Sequence, residues 1–220
     1  MEECNLFKKS ECTLLDTEIK QGKPLDPFSD TALMLKVKDG DTDKLGLLFE
    51  RHSKPLFGFF FRMTRRSDIS EDLTQNVFMR MLTYKHTYTG EGHFKTWMYR
   101  IARNVLSDQH RNDEKMGEQD KLVNIDEMAI ADSGYTSGAE QNPEESDQVQ
   151  LLWQAMDKLD ETKREIIILN RYQGLTYREI AEILKSSENA IKVKAFRAMN
   201  DLRAFIYPDT SGEKEQSYDR

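Results

Sequence analysis

The residues best suited to a chemical task lie near the C-terminus, where amide, cationic and small side chains recur along one stretch. Winding residues 188–203 as a helix turns Asn189, Lys194 and Arg197 outward, with Lys192 on the flank and Ala190, Val193 and Asn200 among them. Arg and Asn form paired hydrogen bonds with base edges, Lys neutralises phosphate, and small side chains allow close approach. This face predicts a helix that binds the DNA major groove; the alternative is a helical hairpin with a solvated polar face.

Two short helices must position that face. Thr176 and Glu179 form a capping box, so the first helix is predicted to begin at Tyr177, and Ser187 is suited to cap the second. The small Ala181 lies where the two helices would cross. The predicted inward faces are Ile180, Ile183 and Leu184 on the first helix, and Ile191, Ala195, Phe196, Met199 and Leu202 on the second. The pattern is typical of a helix-turn-helix.

Composition favours a soluble, all-α, cytoplasmic protein. Charged residues make up 32% of the 220 residues, and Gly and Pro are few. No apolar run reaches the length of a membrane span, and the acidic start is unlike a signal peptide, so no membrane insertion is expected. Cys4 and Cys12 are predicted to be reduced thiols, and the four histidines lack metal-ligand spacing. We expect no metal, cofactor or catalytic residue, since no nucleotide-binding, zinc-protease or serine-hydrolase motif is present.

The net charge of −7 is unevenly distributed and indicates two modules joined by a tether. Residues 30–111 carry 14 basic and 10 acidic side chains, and residues 151–206 carry 10 and 8. Residues 112–150 carry 2 and 11, with low hydrophobicity, which predicts an acidic flexible linker. We therefore predict two small helical domains, 30–111 and 151–206, with a mobile N-terminal extension (1–29) and a polar tail (207–220).

The first module is predicted to contain three helices before a loop. Residues 30–37 form a short helix, and residues 44–65 form a long one that is kinked or restarted at Pro55 and is rich in core phenylalanines. A third helix is predicted to begin at Asp68, capped together with Glu71. It has one apolar stripe of Ile69, Leu73, Val77, Met81 and Tyr84, and a second stripe in which Phe78, Met79 and Leu82 lie beside Asp72 and Gln75. Such a helix is either buried throughout or reserves one face for a partner.

A turn-rich loop, residues 85–93, precedes a predicted helix over residues 94–112. Phe94, Trp97, Ile101 and Val105 are its expected inward residues. Its other face interleaves aromatic and hydroxyl groups with cations, namely Thr96, Tyr99, Arg100, Arg103, Ser107 and His110. Such a face either binds the backbone and unpaired bases of single-stranded nucleic acid or is simply solvated.

These stretches together resemble one family. The runs EDLTQNVFMRML, FKTWMYRIARNVLSDQHR and GLTYREIAEIL followed by ENAIKVKAFRA are similar, in order and spacing, to the extracytoplasmic-function (ECF) group of bacterial RNA polymerase sigma factors. The resemblance covers residues 30–111 (sigma region 2) and 151–206 (sigma region 4). It implies a non-enzymatic initiation factor whose partners are core RNA polymerase, promoter DNA as duplex and melted single strand, and an anti-sigma factor.

The resemblance also assigns roles to residues. Docking on core polymerase falls to the second stripe of the third helix, Asp72, Gln75, Phe78, Met79 and Leu82. Recognition and melting of the minus-ten element fall to Tyr88, His93, Thr96, Trp97, Tyr99, Arg100, Arg103, Asn104, Ser107 and Arg111. Recognition of the minus-thirty-five element is assigned to Thr176, Tyr177, Ser187, Asn189, Lys192, Val193, Lys194 and Arg197.

The sequence departs from the family pattern at several points and leaves rival functions open. Asp160 stands where the family often has Pro, and Asn189, Ala190 and Ile191 stand where it has Gly-Thr-Val. The promoter sequence that this chain recognises therefore does not follow from the resemblance. The acidic segment either aids solubility or follows the RNA-exit path of the polymerase as an RNA-like polyanion. The rival functions are a duplex-binding regulator that uses only the C-terminal module, and a sigma-like decoy that binds an anti-sigma factor without initiating.

Overall fold

The computed structural model describes residues 26–116 and 143–207, which form helices and loops and contain no strand. The predicted all-α fold is confirmed. The first domain consists of α1 (Asp30–Lys38), α2 (Lys44–Thr64), α3 (Ser67–Thr83), a 3₁₀ turn (Lys85–Thr87) and α4 (Phe94–Met116). The second consists of α5 (Pro143–Asp157), α6 (Glu161–Ile167) with a π-helical turn (Ile168–Tyr172), α7 (Tyr177–Leu184) and α8 (Glu188–Ile206).

Several predictions fall outside the described residues, namely those for the N-terminal extension up to residue 25 with Cys4 and Cys12, for residues 117–142, and for residues 208–220. The segment predicted as a linker is helical at its two described ends, since α4 continues to Met116 and α5 begins at Pro143. Gln109 donates a hydrogen bond to Asp113 one turn later and supports the end of α4. Proline is well suited to the first position of α5, since its missing N–H has no helical partner there.

The helices of the first domain enclose the central phenylalanines of α2. Phe59 and Phe60 are fully buried, and α2 runs unbroken through Pro55. Helix α3 begins at Ser67 rather than at Asp68, and its N-cap residue Arg66 provides no side-chain cap. Asp68 therefore lies inside the first turn rather than at the cap, and its carboxylate accepts a 2.8 Å hydrogen bond from the Arg66 guanidinium.

The helix-turn-helix forms as predicted at its caps and differs in its seam. The Thr176 amide donates to the Glu179 carboxylate at 2.8 Å and the Thr176 hydroxyl accepts from the Glu179 amide, while Ser187 caps α8. The prediction that Phe196 and Met199 point inward was wrong, because they are 68% and 38% exposed. The buried seam of α8 is instead Ile191, Ala195, Ala198 and Leu202, in which two alanines let α8 pack closely against the rest of its domain.

The two domains pack directly against each other. Helix α4 lies against α7, and α2 lies against both the π-helical turn and α6. The buried apolar side chains of the two domains form one continuous cluster. As a result the C-terminal domain covers part of the outer face of α4, where the minus-ten residues were predicted.

Candidate nucleic-acid interface

Helix α8 presents its predicted contact residues to solvent. Its first turn is fixed by Ser187, whose hydroxyl accepts a 3.2 Å hydrogen bond from the Ala190 amide. The side chain of Lys192 lies 2.7 Å from the Glu188 carboxylate, which steadies the flank of the helix. The structure brings the exposed members of the predicted set together on α8, namely Asn189, Lys192, Val193, Lys194 and Arg197. Thr176 is occupied in the capping box of α7, and Tyr177 is half-buried.

Phe196 is a candidate that periodicity alone missed. It stands between the cations of α8 and is far more exposed than a core aromatic residue. The seam of Ile191, Ala195, Ala198 and Leu202 repeats at four-, three- and four-residue intervals and is complete without Phe196. The two alanines were the signal that the sequence offered. Counting Ala195 and Ala198 as buried residues places Phe196 on the exposed face, where its ring is available to contact sugars or thymine methyl groups.

The predicted docking face of α3 divides into an exposed layer and a supporting layer. Asp72 and Gln75 are exposed and Met79 is 64% exposed. Phe78 is buried against Phe49 of α2, with ring centroids 4.9 Å apart, and Leu82 is half-buried. Phe49 remains 45% exposed and joins this surface, a contribution that the pattern of α3 alone does not contain. An exposed apolar patch with polar neighbours is typical of a protein-binding surface.

Tyr99 connects the outer face of α4 to the second domain. Its hydroxyl donates to the Gln173 side-chain oxygen at 2.6 Å, and both residues are buried. The Gln173 side-chain amide in turn donates to the Pro55 carbonyl at 3.3 Å. Gln173 directly follows the π-helical turn, and such turns insert an extra residue and redirect the side chains that follow. Tyr99, predicted to face nucleic acid, therefore has a protein partner in this arrangement.

Arg103 forms a second link across the same face. Its Nε lies 3.3 Å from one carboxylate oxygen of Glu165 and 3.4 Å from the other. Glu165 is buried, and burial raises the pKa of its carboxyl group to about 7, although the charge of Arg103 acts in the opposite direction. A carboxyl group held this way exchanges its proton near neutral pH.

Two arginines of the first domain stack on aromatic rings of the second. The guanidinium of Arg65 lies 4.1 Å from the Trp153 ring centroid, and that of Arg62 lies 4.2 Å from the Tyr172 ring centroid. Arg65 also lies 3.4 Å from the Asp157 carboxylate. Cation–π pairs shielded from water are favourable contacts, so these residues help to hold the domains together.

A pocket lies where the 85–93 loop meets α4. Tyr88 is buried and packs against Trp97 with ring centroids 5.0 Å apart. Glu182 of α7 also reaches this pocket, so the second domain partly closes it. The pocket is lined by Thr87, Tyr88, Thr89, Glu91, Gly92, His93, Thr96, Trp97, Arg100 and Glu182.

The other predicted minus-ten residues are distributed around the pocket and along α4. Thr96 is buried, and it lies beside Glu179 of α7. Although burial acts against it, hydrogen bonds from the Thr176 side chain and backbone hold the pKa of Glu179 below its usual range. Arg111 is paired with Asp108. The exposed residues are His93, Arg100, Asn104, Ser107 and Arg111.

Among the described residues, no three His, Cys, Asp or Glu side chains are grouped so that they could hold a metal ion. None of the helices in 26–116 and 143–207 is long and apolar enough to cross a bilayer.

Known families and proteins match this chain over both domains. Residues 48–115 match the family described as Sigma-70 region 2, and residues 150–202 match Sigma-70, region 4. The ECF RNA polymerase sigma factor BldN of Streptomyces coelicolor is 30% identical over 190 residues, covering 82% of this chain and 68% of that protein. The ECF RNA polymerase sigma factor SigX of Bacillus subtilis is 28% identical over 170 residues, covering 71% of this chain and 80% of that protein.

Two solved structures share the fold. CnrH in complex with the cytosolic domain of CnrY has a TM-score of 0.59 at 20% identity, covering 82% of this chain and 99% of that one. The sigma factor RpoE in complex with the anti-sigma factor NepR from Bartonella quintana has a TM-score of 0.56 at 22% identity, covering 74% and 97%.

Proposed function

The chain belongs to the ECF group of bacterial RNA polymerase sigma factors, and from this premise we propose how its residues share the work of promoter recognition. As a sigma factor it binds core RNA polymerase and directs it to promoters. Residues 30–111 would form the module that docks on polymerase and melts the minus-ten element, and residues 151–206 the module that binds the minus-thirty-five element. We place it in the cytoplasm as a factor without catalytic activity of its own.

Core polymerase docks on α3 in this proposal. Asp72, Gln75 and Met79 supply the exposed contacts, and Phe78 with Leu82 supports them from below. Exposed Met and aromatic side chains contribute strongly to protein interfaces, so Met79 and Phe49 are expected to dominate the affinity.

Melting of the minus-ten element uses the outer face of α4 and the adjoining pocket. The observation that carries the proposal is this juxtaposition of exposed cations, aromatic rings and a loop pocket on one domain. Opening a base pair costs a few kcal/mol, and capture of the extruded base and the single strand offsets that cost. We assign base capture to His93, Trp97 and Arg100, with the buried Tyr88 supporting Trp97 from behind. We assign backbone contacts to Thr96, Tyr99, Arg103, Asn104, Ser107 and Arg111.

Binding of the minus-thirty-five element falls to α8, with Lys192 and Lys194 on phosphates and Asn189 and Arg197 on base edges. Phe196 and Val193 add apolar contacts. Thr176, Tyr177 and Ser187 lie at the starts of the two helices, where backbone amides are suited to phosphate.

The two domains must separate before α4 can act on DNA. Thr96 lies beside Glu179 of α7 and the Tyr99 hydroxyl is bound to Gln173. The two residues are 4% and 2% exposed, so no nucleic acid can reach them in this arrangement. We infer that the structure is the resting form of the factor. We also propose that a protein of the anti-sigma kind restrains the chain, in keeping with the complexes that CnrH and RpoE form with their partners.

The test is reconstitution with core polymerase followed by permanganate footprinting of unpaired thymines on genomic promoter fragments. Arg100→Ala is expected to reduce melting about tenfold, since loss of one base-contacting side chain costs roughly 1–3 kcal/mol. Lys95→Ala, which removes an exposed cation from the same helix, is the matched control.

Met79→Ala is expected to weaken binding to core polymerase and to leave thermal stability unchanged, because Met79 is exposed. Phe78→Ala is less informative because Phe78 is buried.

The rival functions give different results in the same assay. Duplex binding by the protein alone, with no polymerase-dependent melting, would identify a duplex-binding regulator. Binding to polymerase or to an anti-sigma factor with no melting at any fragment would identify a decoy. Equal melting by the Arg100→Ala and Lys95→Ala proteins would remove the assignment of base capture to the pocket.

A further inference from the structure

Helix α1 presents one face to the loop that walls the pocket. Thr31, Leu35 and Lys38 are spaced at i, i+4 and i+7 and therefore lie in line on the helix. The Lys38 ammonium donates a 2.7 Å hydrogen bond to the Tyr88 carbonyl. The side chain of Thr31 lies at the Tyr88 hydroxyl, at the other end of the same residue.

Leu35 supplies the middle contact of this face. Gly90 has a positive φ of 77°, and a Cβ atom there would lie 3.3 Å from both methyl groups of Leu35. The loop backbone therefore passes directly over the Leu35 side chain. Lys38 thus bonds the backbone of Tyr88, and Leu35 packs under Gly90 two residues further along the loop.

Helix α1 is itself firmly anchored. The Ser29 side chain caps it, and the Asp30 carboxylate accepts 2.8 Å contacts from both Arg51 and His52 of α2. The His52 ring packs against Phe94, the first residue of α4, with centroids 5.2 Å apart. A rigid support of this kind can hold a loop in one shape, as a precise binding site requires.

We propose that α1 sets the shape of the base-capturing loop and that Lys38 is a positioning residue that narrows the choice of captured base. The inference rests on the proposed role of the pocket in base capture. Lys38 acts through the Tyr88 carbonyl, which fixes the backbone of a residue that lines the pocket. Without that bond the loop samples more than one shape and accepts more than one base.

The experiment measures base preference directly with the holoenzyme of full-length protein and core polymerase. The probe is a duplex library of a promoter that the wild-type holoenzyme melts, randomised across its melted segment, with transcripts sequenced. Lys38→Met keeps the aliphatic stem and removes the donor. It is expected to lower the preference for the best base at one position about fivefold, within the range of single-position discrimination. Preferences at the other positions stay unchanged.

Two further variants separate positioning from other roles. Lys38→Arg restores a donor and is expected to recover most of the preference. Lys36→Met removes an exposed lysine from the same helix and is expected to match the wild type. A uniform loss of transcription in Lys38→Met, with a smaller dependence on salt and an unchanged preference, would assign Lys38 to a phosphate contact and overturn the proposal.

Failure of the pocket assignment is distinguishable from failure of this inference. If His93→Ala alters the base preference and Lys38→Met does not, the pocket captures a base without help from α1. If neither variant alters the preference at any position, the base-capture role of the pocket fails, and the role of α1 fails with it. A circular-dichroism melt of each variant shows whether a loss of folding accounts for the result.

Discussion

Tyr99 and Arg103 each have a protein partner at the place where we propose that they meet DNA. The hydroxyl of Tyr99 is bound to Gln173, and the guanidinium of Arg103 faces the buried Glu165. The same chemical groups suit both partners, because a phenol can stack on a base and a guanidinium can pair with carboxylate or phosphate alike. At the scale of single residues, the resting contacts and the proposed DNA contacts therefore compete.

Glu165 makes the folded protein sensitive to pH. Its pKa is raised from an ordinary 4.5 to about 7, first by burial, so the folded state binds its proton more tightly than the unfolded chain does. The stability that this group contributes is present below pH 4.5 and is lost as the pH rises through about 7. This loss amounts to a decrease on the order of 2 kcal/mol in the free energy of unfolding between pH 5 and pH 8, and Glu165→Gln should remove it. Urea unfolding at the two pH values measures it.

The control for this prediction is Glu50→Gln, which removes an exposed carboxylate of α2 in the first domain. It should retain the wild-type pH dependence. An unaltered slope in the Glu165→Gln protein would mean that the buried carboxyl group is not the origin of the effect.

At the scale of single elements, α8 offers a direct contrast between a seam residue and an exposed residue. Ile191→Ala removes a fully buried side chain and should cost about 2–5 kcal/mol of unfolding free energy. Phe196→Ala removes a larger but exposed ring and should cost less than about 0.5 kcal/mol. Denaturant titration of the two variants checks this, and comparable losses would place Phe196 in the core.

Binding provides the second half of the same contrast. Phe196→Ala should weaken binding of holoenzyme to a minus-thirty-five duplex, because the ring stands among the cations of the exposed face. A variant that is stable and also binds normally would leave Phe196 without a role in DNA recognition.

Local chemistry made the individual helices predictable. The capping box at Thr176 and the cap at Ser187 depend on residues within three positions of each other, so the sequence contains all the necessary information. Phe196 was misplaced because a helix with two alanines in its seam needs no large residue there, and the sequence alone does not reveal how closely the neighbouring helix approaches. Tyr99 of the predicted outer face of α4 instead packs its ring against Phe59 in the core of its own domain, with centroids 5.5 Å apart.

Long-range contacts account for what local patterns missed. The bond between Tyr99 and Gln173 joins residues that are 74 positions apart, and Lys38 reaches a carbonyl 50 positions away. Periodicity identifies which face of a helix points away from the core of its own domain. It does not identify the other part of the chain that packs on that face. The role of α1 as a support for the loop was invisible for the same reason.

At the scale of the whole molecule, the packed domains predict a large rearrangement on binding polymerase. Dyes placed at Lys36 of α1 and Asn200 of α8, after replacement of Cys4 and Cys12 by serine, should show efficient energy transfer in the free protein. Transfer should fall when core polymerase is added, because the proposed contacts of α4 with DNA require that helix to be uncovered.

A dye pair at Lys36 and Lys54 serves as the control, since both residues lie in the first domain and should keep their distance. A fall in both pairs would indicate unfolding or a dye artefact. Constant transfer in both would show that the domains remain packed on the polymerase, and the proposed opening would be wrong.

The interdomain contacts bear on the construction of hybrid factors. Several of these contacts pair a side chain of one domain with a side chain of the other, as Arg65 does with Trp153 and Arg103 with Glu165. Grafting a foreign C-terminal half onto residues 26–116 would replace one member of each of these pairs. Such a chimera would change its promoter specificity and would also lose the contacts that hold its two domains together. A hybrid factor that is inactive until it binds polymerase therefore requires the interdomain contact residues to be transferred together with the DNA-binding helix.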